Sequence, residues 1–271
     1  ESLKKAIDAF VNAFKIADLR KKLLFTLGVL IIYRIGAHIT IPGVNSAVLG
    51  EYFRNSNNLF GLYDSFTGGA FAKATVFALG IMPYISASII IQLMGAVIPA
   101  IQMLQKEGQE GRAKLNQYTR YFTVVLAALQ GWGVSVWLSN LKVTTAAGTG
   151  ISVLLDDFAS GMGNIGFRLL ATLTFTTGTI FVMYLGEQIT SRGVGNGISL
   201  IIFAGIVGGL PRAVFAELEM LVNDIQPLAI EIFILALVVA IVGFIVFVEQ
   251  ANRRIPLQSP RRTVGTKTIG G

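Results

Sequence analysis

The sequence predicts an all-α, polytopic membrane helix bundle of about six transmembrane helices, with an N-terminal interfacial helix and a re-entrant segment. Of its 271 residues, 53% are hydrophobic and only 14% are charged, whereas soluble domains carry roughly 25% charged residues. The mean hydropathy is +0.67. The apolar residues are gathered into long runs, and most of the charges lie at the ends of those runs.

The long apolar runs are the candidate spans, because about 20 apolar residues are needed to cross about 30 Å of hydrocarbon. Backbone groups in lipid must be hydrogen-bonded within their own segment, so each run is predicted to be a helix. None shows the alternation of a barrel strand. The candidate spans are Leu23–Pro42, Ala74–Gln105, Tyr121–Leu141, Leu169–Gly186, Gly193–Pro211 and Pro227–Val248.

The distribution of basic residues predicts the orientation. Most of the 22 Lys and Arg residues lie on one side of the spans, and only Arg54, Lys73, Lys142 and Arg212 lie on the other. Cytoplasmic loops carry the excess of Lys and Arg, so both termini of this chain are predicted to be cytoplasmic. The net charge of +7 therefore indicates membrane topology, and no direct nucleic-acid readout is expected.

Two shorter segments accompany the spans. In residues 1–18, apolar residues recur at helical spacing, which favours an amphipathic helix on the cytoplasmic membrane surface; a packed soluble helix is the alternative. The apolar segment 55–69 is too short to cross a bilayer, so we expect it to be re-entrant or interfacial.

Several chemistries find no support in the sequence. There is no cysteine and one histidine, His38, so thiolate metal sites and a Ser-His-Asp triad are not expected. The glycines of 193–197 do not form a dinucleotide-binding motif, and no Walker motif is present. We predict no metal, no cofactor and no enzymatic activity. Asp156, Asp157 and Glu231 lie away from mid-membrane, which argues against proton-coupled transport.

The second span combines apolar and polar features. Ile81 and Ile85 are four residues apart and are expected to share a helix face, with Pro83 kinking the helix between them. From the residues alone, the two isoleucines are expected to face lipid or to be packed rather than to line a pore. Polar residues that seek partner helices or water lie deeper in the run: Ser86, Ser88 and Gln92.

A set of longer motifs occurs in order along the chain. They are YRIG at 33–36, IPG at 41–43, FALGIMPYISASIIIQL at 77–93, KEGQEGR at 106–112, QYTRY at 117–121, GEQIT at 186–190 and RGVGNGIS at 192–199. From about Leu19 to Ile255, the chain resembles the SecY family of bacterial protein-conducting channels. Ser259-Pro260 departs from the aromatic-small pair usual there.

The resemblance implies a pore-forming subunit that passes unfolded polypeptides across the membrane and releases membrane helices laterally into lipid. Residues 19–213 would form the first five-span half, with a plug at about 58–69. Residues 214–250 would form the sixth span, and 251–271 the start of a basic cytoplasmic loop. The family continues through four more spans, and the chain lacks an initiator Met, so we expect an incomplete sequence.

The resemblance also implies residue roles. The pore ring would contain Ile81, Ile85, Ile198 and Ile202, and the plug Leu59, Phe60, Leu62, Tyr63 and Phe66. The lateral gate would contain Ser86, Ser88 and Gln92, and the cytoplasmic funnel and docking surface Arg120, Arg253, Arg254, Arg261 and Arg262. From the residues alone, the favoured interpretation of Arg120 is one more topology signal, and the basic loops could equally be topology signals or contacts to anionic lipid. Phe175, in the fourth span, is expected to face lipid.

The implied partners are the SecE and SecG subunits, the SecA motor or the ribosome at the cytoplasmic loops, secretory and membrane-protein nascent chains, and membrane lipid. The implied location is the bacterial cytoplasmic (inner) membrane. Two other functions remain open at this point. The chain could be half of a secondary transporter built from helix repeats, or a non-channel assembly or insertase subunit.

Overall fold

The computed structural model describes residues 16–55, 59–144, 150–159, 161–223, 227–252, 262–264 and 267–269. It contains two compact units, Glu1–Pro211 and Arg212–Gly271. The first unit begins with α1 (Ala17–Gly36), α2 (Ser46–Asn55), α3 (Leu59–Thr67), α4 (Met82–Val97), α5 (Pro99–Lys106) and α6 (Gln109–Asn140). It continues with β1 (Lys142–Thr144), β2 (Gly150–Ser152), α7 (Asp156–Ala159), α8 (Gly161–Arg192) and α9 (Gly197–Val207). The interfacial helix predicted for residues 1–18 lies almost wholly outside the described residues.

The second unit is also mostly helical. It comprises α10 (Leu210–Val222), which begins at the boundary, α11 (Leu228–Glu249) and the strands β3 (Arg262–Val264) and β4 (Lys267–Ile269). The strands pair antiparallel, with Thr263 opposite Thr268. The sequence of α11 is apolar on all sides, as expected of a helix surrounded by lipid.

The predicted second span differs most from the structure. Residues 68–81 form turns rather than helix, and α4 begins only at Met82. Pro83 therefore occupies the first helical turn, where its missing N–H is tolerated, and the predicted kink at Pro83 is wrong. The bend occurs at Pro99 instead, where α4 and α5 meet at 102°. Pro99 cannot continue the α4 hydrogen-bond ladder, so it starts a new helix.

Fewer helices than the six predicted runs are long and apolar enough to span a membrane. Among the described residues, α6, α8 and α11 qualify, and the bent pair α4–α5 makes a fourth if it is one span. The run predicted at Leu23–Pro42 corresponds to α1, which carries several charges in its first turns and Arg34 in its last. The run at Gly193–Pro211 corresponds to α9, which is apolar but has only 11 residues.

The core lies where α6 packs along α8. The buried face of α6 repeats small residues every four positions, among them Thr123, Ala127 and Gly131, and such residues let helices approach closely. Phe175 of α8 fills this interface and is 0% exposed, so the prediction that it faces lipid is wrong. Leu173, two residues away, is 70% exposed and lies on the outer face of the same helix.

The short segments fold back onto this core. The β1–β2 pair is antiparallel, with Val143 opposite Ile151. A single bridge joins Val44 to Leu154, and another joins Thr40 to Thr75. The segments after α1 and before α4 are thereby held against the bundle, and they bring α3 close to α4, α6 and α9.

Candidate functional site

Four isoleucines from two separate segments meet in one apolar cluster. Ile81 is 5% exposed and belongs to the buried part of the cluster, and Ile85, Ile198 and Ile202 are partly buried and pack against it. Ile81 lies just before α4, and its carbonyl accepts the N–H of Ile85 at 3.1 Å. The structure therefore places in or against one cluster all four residues that the resemblance implies for a pore ring, although Ile81 and Ile198 are 117 positions apart in the sequence.

Local hydrogen bonds fix the start of α9 and with it two of these isoleucines. The side chain of Asn196 accepts the N–H groups of Ile198 and Ser199 at 3.0 and 3.3 Å, which is an N-cap. The Thr190 hydroxyl accepts the N–H of Gly197 at 2.9 Å. Gly197 lies so close to the carbonyl of Gly186 that a Cβ would clash with it, so α8 and α9 touch through backbone.

The nine-residue helix α3 corresponds to most of the segment predicted as a plug. The hydroxyl of Tyr63 donates to the carbonyl of Leu79 at 2.9 Å, and its ring lies 4.9 Å from that of Phe71. Phe60 lies 5.0 Å from Trp137 of α6. Aromatic contacts of this kind stabilise packing beyond the area they bury. One side of α3 is thus seated on the bundle.

The remaining plug residues are more exposed. Leu62 and Phe66 are 64% and 47% exposed, and the side chain of Leu59 lies outside the described residues. Within the described part of the chain, Leu62 and Phe66 therefore form an exposed apolar patch on α3.

A carboxylate closes the turn that follows α3. Asp64 accepts the N–H of Ala72 at 2.8 Å, and its backbone carbonyl accepts the N–H of Gly69 at 3.0 Å. Burial raises the pKa of the Asp64 carboxyl above its ordinary value, although the bond from Ala72 favours the charged form. The motifs did not single out this residue.

The polar residues predicted for the gate lie along α4. The amide of Gln92 donates to the hydroxyl of Ser88 at 3.1 Å, one turn away on an exposed face. Ser86 instead lines a cavity of about 420 Å³ between α3, α4 and α6, together with Tyr63, Gln130 and Trp137. Ser88 and Gln92 thus lie together on the exposed face of α4, whereas Ser86 faces the cavity. The role of these three residues in opening a lateral gate stays a prediction.

Of the predicted basic residues, only the side chain of Arg120 is described. Its Nε donates to Oε1 of Glu187 at 2.7 Å, linking α6 to α8. The side chains are 51% and 27% exposed. Glu187 lies within the GEQIT motif, but nothing in the sequence predicted that it pairs with Arg120. Arg253, Arg254 and Arg261 lie outside the described residues, and of Arg262 only the backbone, at the start of β3, is described.

A metal centre is not found in the part of the chain that the structure describes, where no three His, Cys, Asp or Glu side chains come together.

The family model for SecY matches residues 75–271, which is more than half of the chain. The chain belongs to the SecY family. Among its relatives, the SecY protein translocase subunit of Streptomyces scabiei is 45% identical over 269 residues. That of Pseudomonas aeruginosa is 47% identical over 266 residues. The matches cover 98% and 97% of this chain but 60% and 56% of those proteins. The chain therefore spans about three-fifths of the length of these two SecY relatives.

Solved structures show the same fold. The chain is similar to a chain of "Sec61 in the Canine ribosome-channel complex from the endoplasmic reticulum", with a TM-score of 0.59 and 21% identity over 88% of this chain and 49% of that one. It is equally similar to "The structure of a protein conducting channel", with a TM-score of 0.59, over 93% of this chain and 52% of that one. These matches confirm the predicted all-α membrane bundle, and the named relatives do not favour a secondary transporter.

Proposed function

We propose that the chain is part of the pore-forming subunit of a protein-conducting channel, one that passes unfolded polypeptides across a membrane and releases membrane helices laterally into lipid. The observation that carries this proposal is the meeting of Ile81, Ile85, Ile198 and Ile202 in one cluster, close to α3, in a chain of the SecY family. No enzymatic step is proposed.

The chemistry of the cluster suits a general polypeptide pore. Isoleucine side chains offer no hydrogen bonds to water or ions, so a narrow ring of them dewets and blocks conduction. Branching at Cβ restricts χ1, so the ring is stiff. A ring without polar groups does not select by sequence. The exposed apolar face of α3 would cover the ring from outside as a plug.

Lateral release requires that the gate helix leave its neighbours. In this proposal α4 is that helix, because Ser88 and Gln92 are hydrogen-bonded to each other on its exposed face. Polar pairs of this kind contribute little to helix association and allow opening.

The remaining partners follow from the family and the charge pattern. We propose SecE and SecG as companion subunits, SecA or the ribosome at the basic cytoplasmic loops, and nascent chains as cargo. The excess of Lys and Arg on one side supports cytoplasmic termini in a bacterial inner membrane. Arg120 with Glu187 would lie in the cytoplasmic funnel.

The test is a crosslink in a full-length channel that carries this sequence. The chain has no cysteine, so Ile85→Cys or Ile198→Cys is a single reporter in it when the remaining spans are also cysteine-free. A secretory polypeptide with one cysteine is stalled during translocation, and disulfide formation is measured in the membrane. Leu173→Cys is the control, because Leu173 is 70% exposed on the outer face of α8.

We expect a disulfide at both ring positions and none at Leu173. Absence of a bond at both ring positions, while translocation proceeds by an independent assay, would remove these isoleucines from the pore. A bond of equal yield at all three positions would mean that the reporters measure proximity in the membrane rather than a path.

A further inference from the structure

Arg34 is a cation inside an otherwise apolar run, and it reaches the end of α3. It lies in the last turn of α1, and its Nη1 donates to the carbonyl of Gly68 at 3.1 Å. Over the described part of the chain, no carboxylate pairs with it. The half-buried guanidinium therefore donates its hydrogen bond to a backbone carbonyl just past the C-terminus of α3.

The residue before it reaches the same place. The hydroxyl of Tyr33 donates to the carbonyl of Thr67 at 3.5 Å, and Tyr33 is 2% exposed and stacked on Phe77 at 5.9 Å. The last carbonyls of a helix have no partner within it, and a cation there interacts favourably with the helix dipole. Two neighbouring side chains on α1 thus supply hydrogen-bond donors to backbone carbonyls at the end of α3.

A second helix closes on this junction from the other side. Gly68 has a positive φ of 67°, and a Cβ on it would lie 2.9 Å from the Cα and the carbonyl oxygen of Gly205 in α9. A Cβ on Gly205 would lie 2.9 Å from the carbonyl oxygen of Phe66. Gly208 comes equally close to Arg34, since its Cβ would lie 3.0 Å from Nη1. The guanidinium therefore lies where α3 and α9 meet.

The face of α9 that closes the junction also carries two of the clustered isoleucines. Ile198, Ile202 and Gly205 follow one another at spacings of four and three residues, which places them on one face of the helix. α9 has 11 residues, and we treat this short helix as one rigid body. A displacement that withdraws Ile202 from the cluster therefore also withdraws Gly205 from Gly68.

We infer that Arg34 is a positioning residue that holds the end of α3 against α9, so that the plug helix stays seated only while α9 keeps the isoleucine cluster closed. This inference rests on the proposed pore function. Arg34 touches no cargo; it acts through the carbonyl of Gly68. Loss of its hydrogen bond frees the junction without changing any isoleucine.

The experiment compares Arg34→Gln with Arg168→Gln in the full-length channel with its companion subunits, reconstituted in vesicles. Arg168 is a matched control, because it also donates from a span to one oxygen at 3.0 Å, but that oxygen is the Ser139 hydroxyl of α6 rather than a carbonyl at the end of α3. The first readout is the resting ion leak without cargo. The second is the labelling rate of Ala70→Cys by a water-soluble maleimide, since Ala70 is 0% exposed beside the junction.

We expect Arg34→Gln to raise the leak and the labelling rate by about tenfold, the size of one lost charge-assisted hydrogen bond. Arg34→Lys should restore part of both, because it keeps a cation at the carbonyl. Arg168→Gln should change neither. If Arg34→Gln does not accumulate in the membrane, Gly205→Ala replaces it, because its Cβ pushes on the carbonyl of Phe66 while Arg34 is intact.

Deletion of residues 59–67 separates the two claims. If Arg34 acts through α3, Arg34→Gln adds no leak to the deleted channel; a further rise in leak would overturn the inference. An unchanged leak and labelling rate in Arg34→Gln, with a raised leak in Ile85→Asn, would also overturn it and leave the pore intact. No leak from Ile85→Asn or from the deletion would refute the proposed function itself.

Discussion

Arg120 of α6 donates from its Nε to Oε1 of Glu187 of α8 across 2.7 Å, and this is the one ion pair between different helices in the described part of the chain that joins residues far apart in sequence. It lies at the end of the interface whose middle is filled by Phe175. Arg120 is half exposed and Glu187 is 27% exposed, so water and salt weaken the attraction between them. The contact therefore orients two spans more than it stabilises them.

Removal of either charge should lower the stability of the α6–α8 pair only slightly. Half-exposed pairs contribute about 1 kcal/mol or less, so Glu187→Gln and Arg120→Gln should each lower the thermal unfolding midpoint in detergent by a few degrees at most at low salt, and less at high salt. The exchanged pair Arg120→Glu with Glu187→Arg should recover the loss. The double variant Arg120→Gln with Glu187→Gln tests the pairing itself. If its loss of stability equals the sum of the losses in the two single variants, the residues do not interact.

The isoleucine cluster predicts a polarity effect on conduction. Ile85→Asn places an amide among apolar side chains, which holds water in the narrow region and should raise the resting ion leak of the full-length channel. Ile85→Leu conserves volume and apolarity, so its leak should stay at the starting value. Single-channel recording without cargo measures both. Equal conductance in the two variants would place Ile85 outside the constriction.

The turn after α3 predicts a difference between two replacements of Asp64. Asp64→Asn keeps an oxygen for the N–H of Ala72 and removes a buried charge, so it should be at least as stable as the parent at neutral pH. Asp64→Ala leaves that N–H without a partner, which costs about 1–3 kcal/mol. Thermal unfolding in detergent ranks the three proteins. If the charge itself stabilises the turn, Asp64→Asn will instead be less stable than the parent.

The same carboxyl predicts a pH dependence. Burial raises the pKa of Asp64 in the folded protein, so the folded state binds the proton more readily than the unfolded chain. Stability should rise as the pH falls through the window between the unfolded pKa and that raised pKa, and it should be lost as the pH rises through the same window. Asp64→Asn should lack this contribution, which a series of unfolding midpoints against pH would measure.

Two helical glycines should respond differently to a methyl group: Gly197 at the start of α9 and Gly133 in the interior of α6. Gly197→Ala drives a Cβ into the carbonyl of Gly186, and overpacking of this kind costs about 1–3 kcal/mol. Gly133→Ala meets nothing within 4 Å and should be neutral or stabilising by up to about 1 kcal/mol, because alanine favours helix. Comparable losses in both variants would mean that α8 and α9 do not approach through backbone.

The sequence alone predicted that α6, α8 and α11 are helices, because a long apolar run bounded by charge has only one stable form in lipid. It did not predict where α6 and α8 begin: the helices start at Gln109 and Gly161, ahead of the predicted apolar runs. The family was likewise readable from motifs such as those around Ile81 and Ile198. Both signals lie within short stretches of sequence, so they can be recognised without knowing which residues pack against them.

Only the tertiary structure decided which way side chains point and which residues meet. Phe175 and Leu173 are equally apolar, yet only the packing of α6 against α8 buries the first and exposes the second. Arg34 breaks an apolar run, but nothing nearby in sequence identifies Gly68, 34 residues away, as its acceptor. Glu187 is 67 residues away from Arg120. Hydropathy records how much a residue avoids water; the identity of its partner depends on contacts between segments that are far apart along the chain.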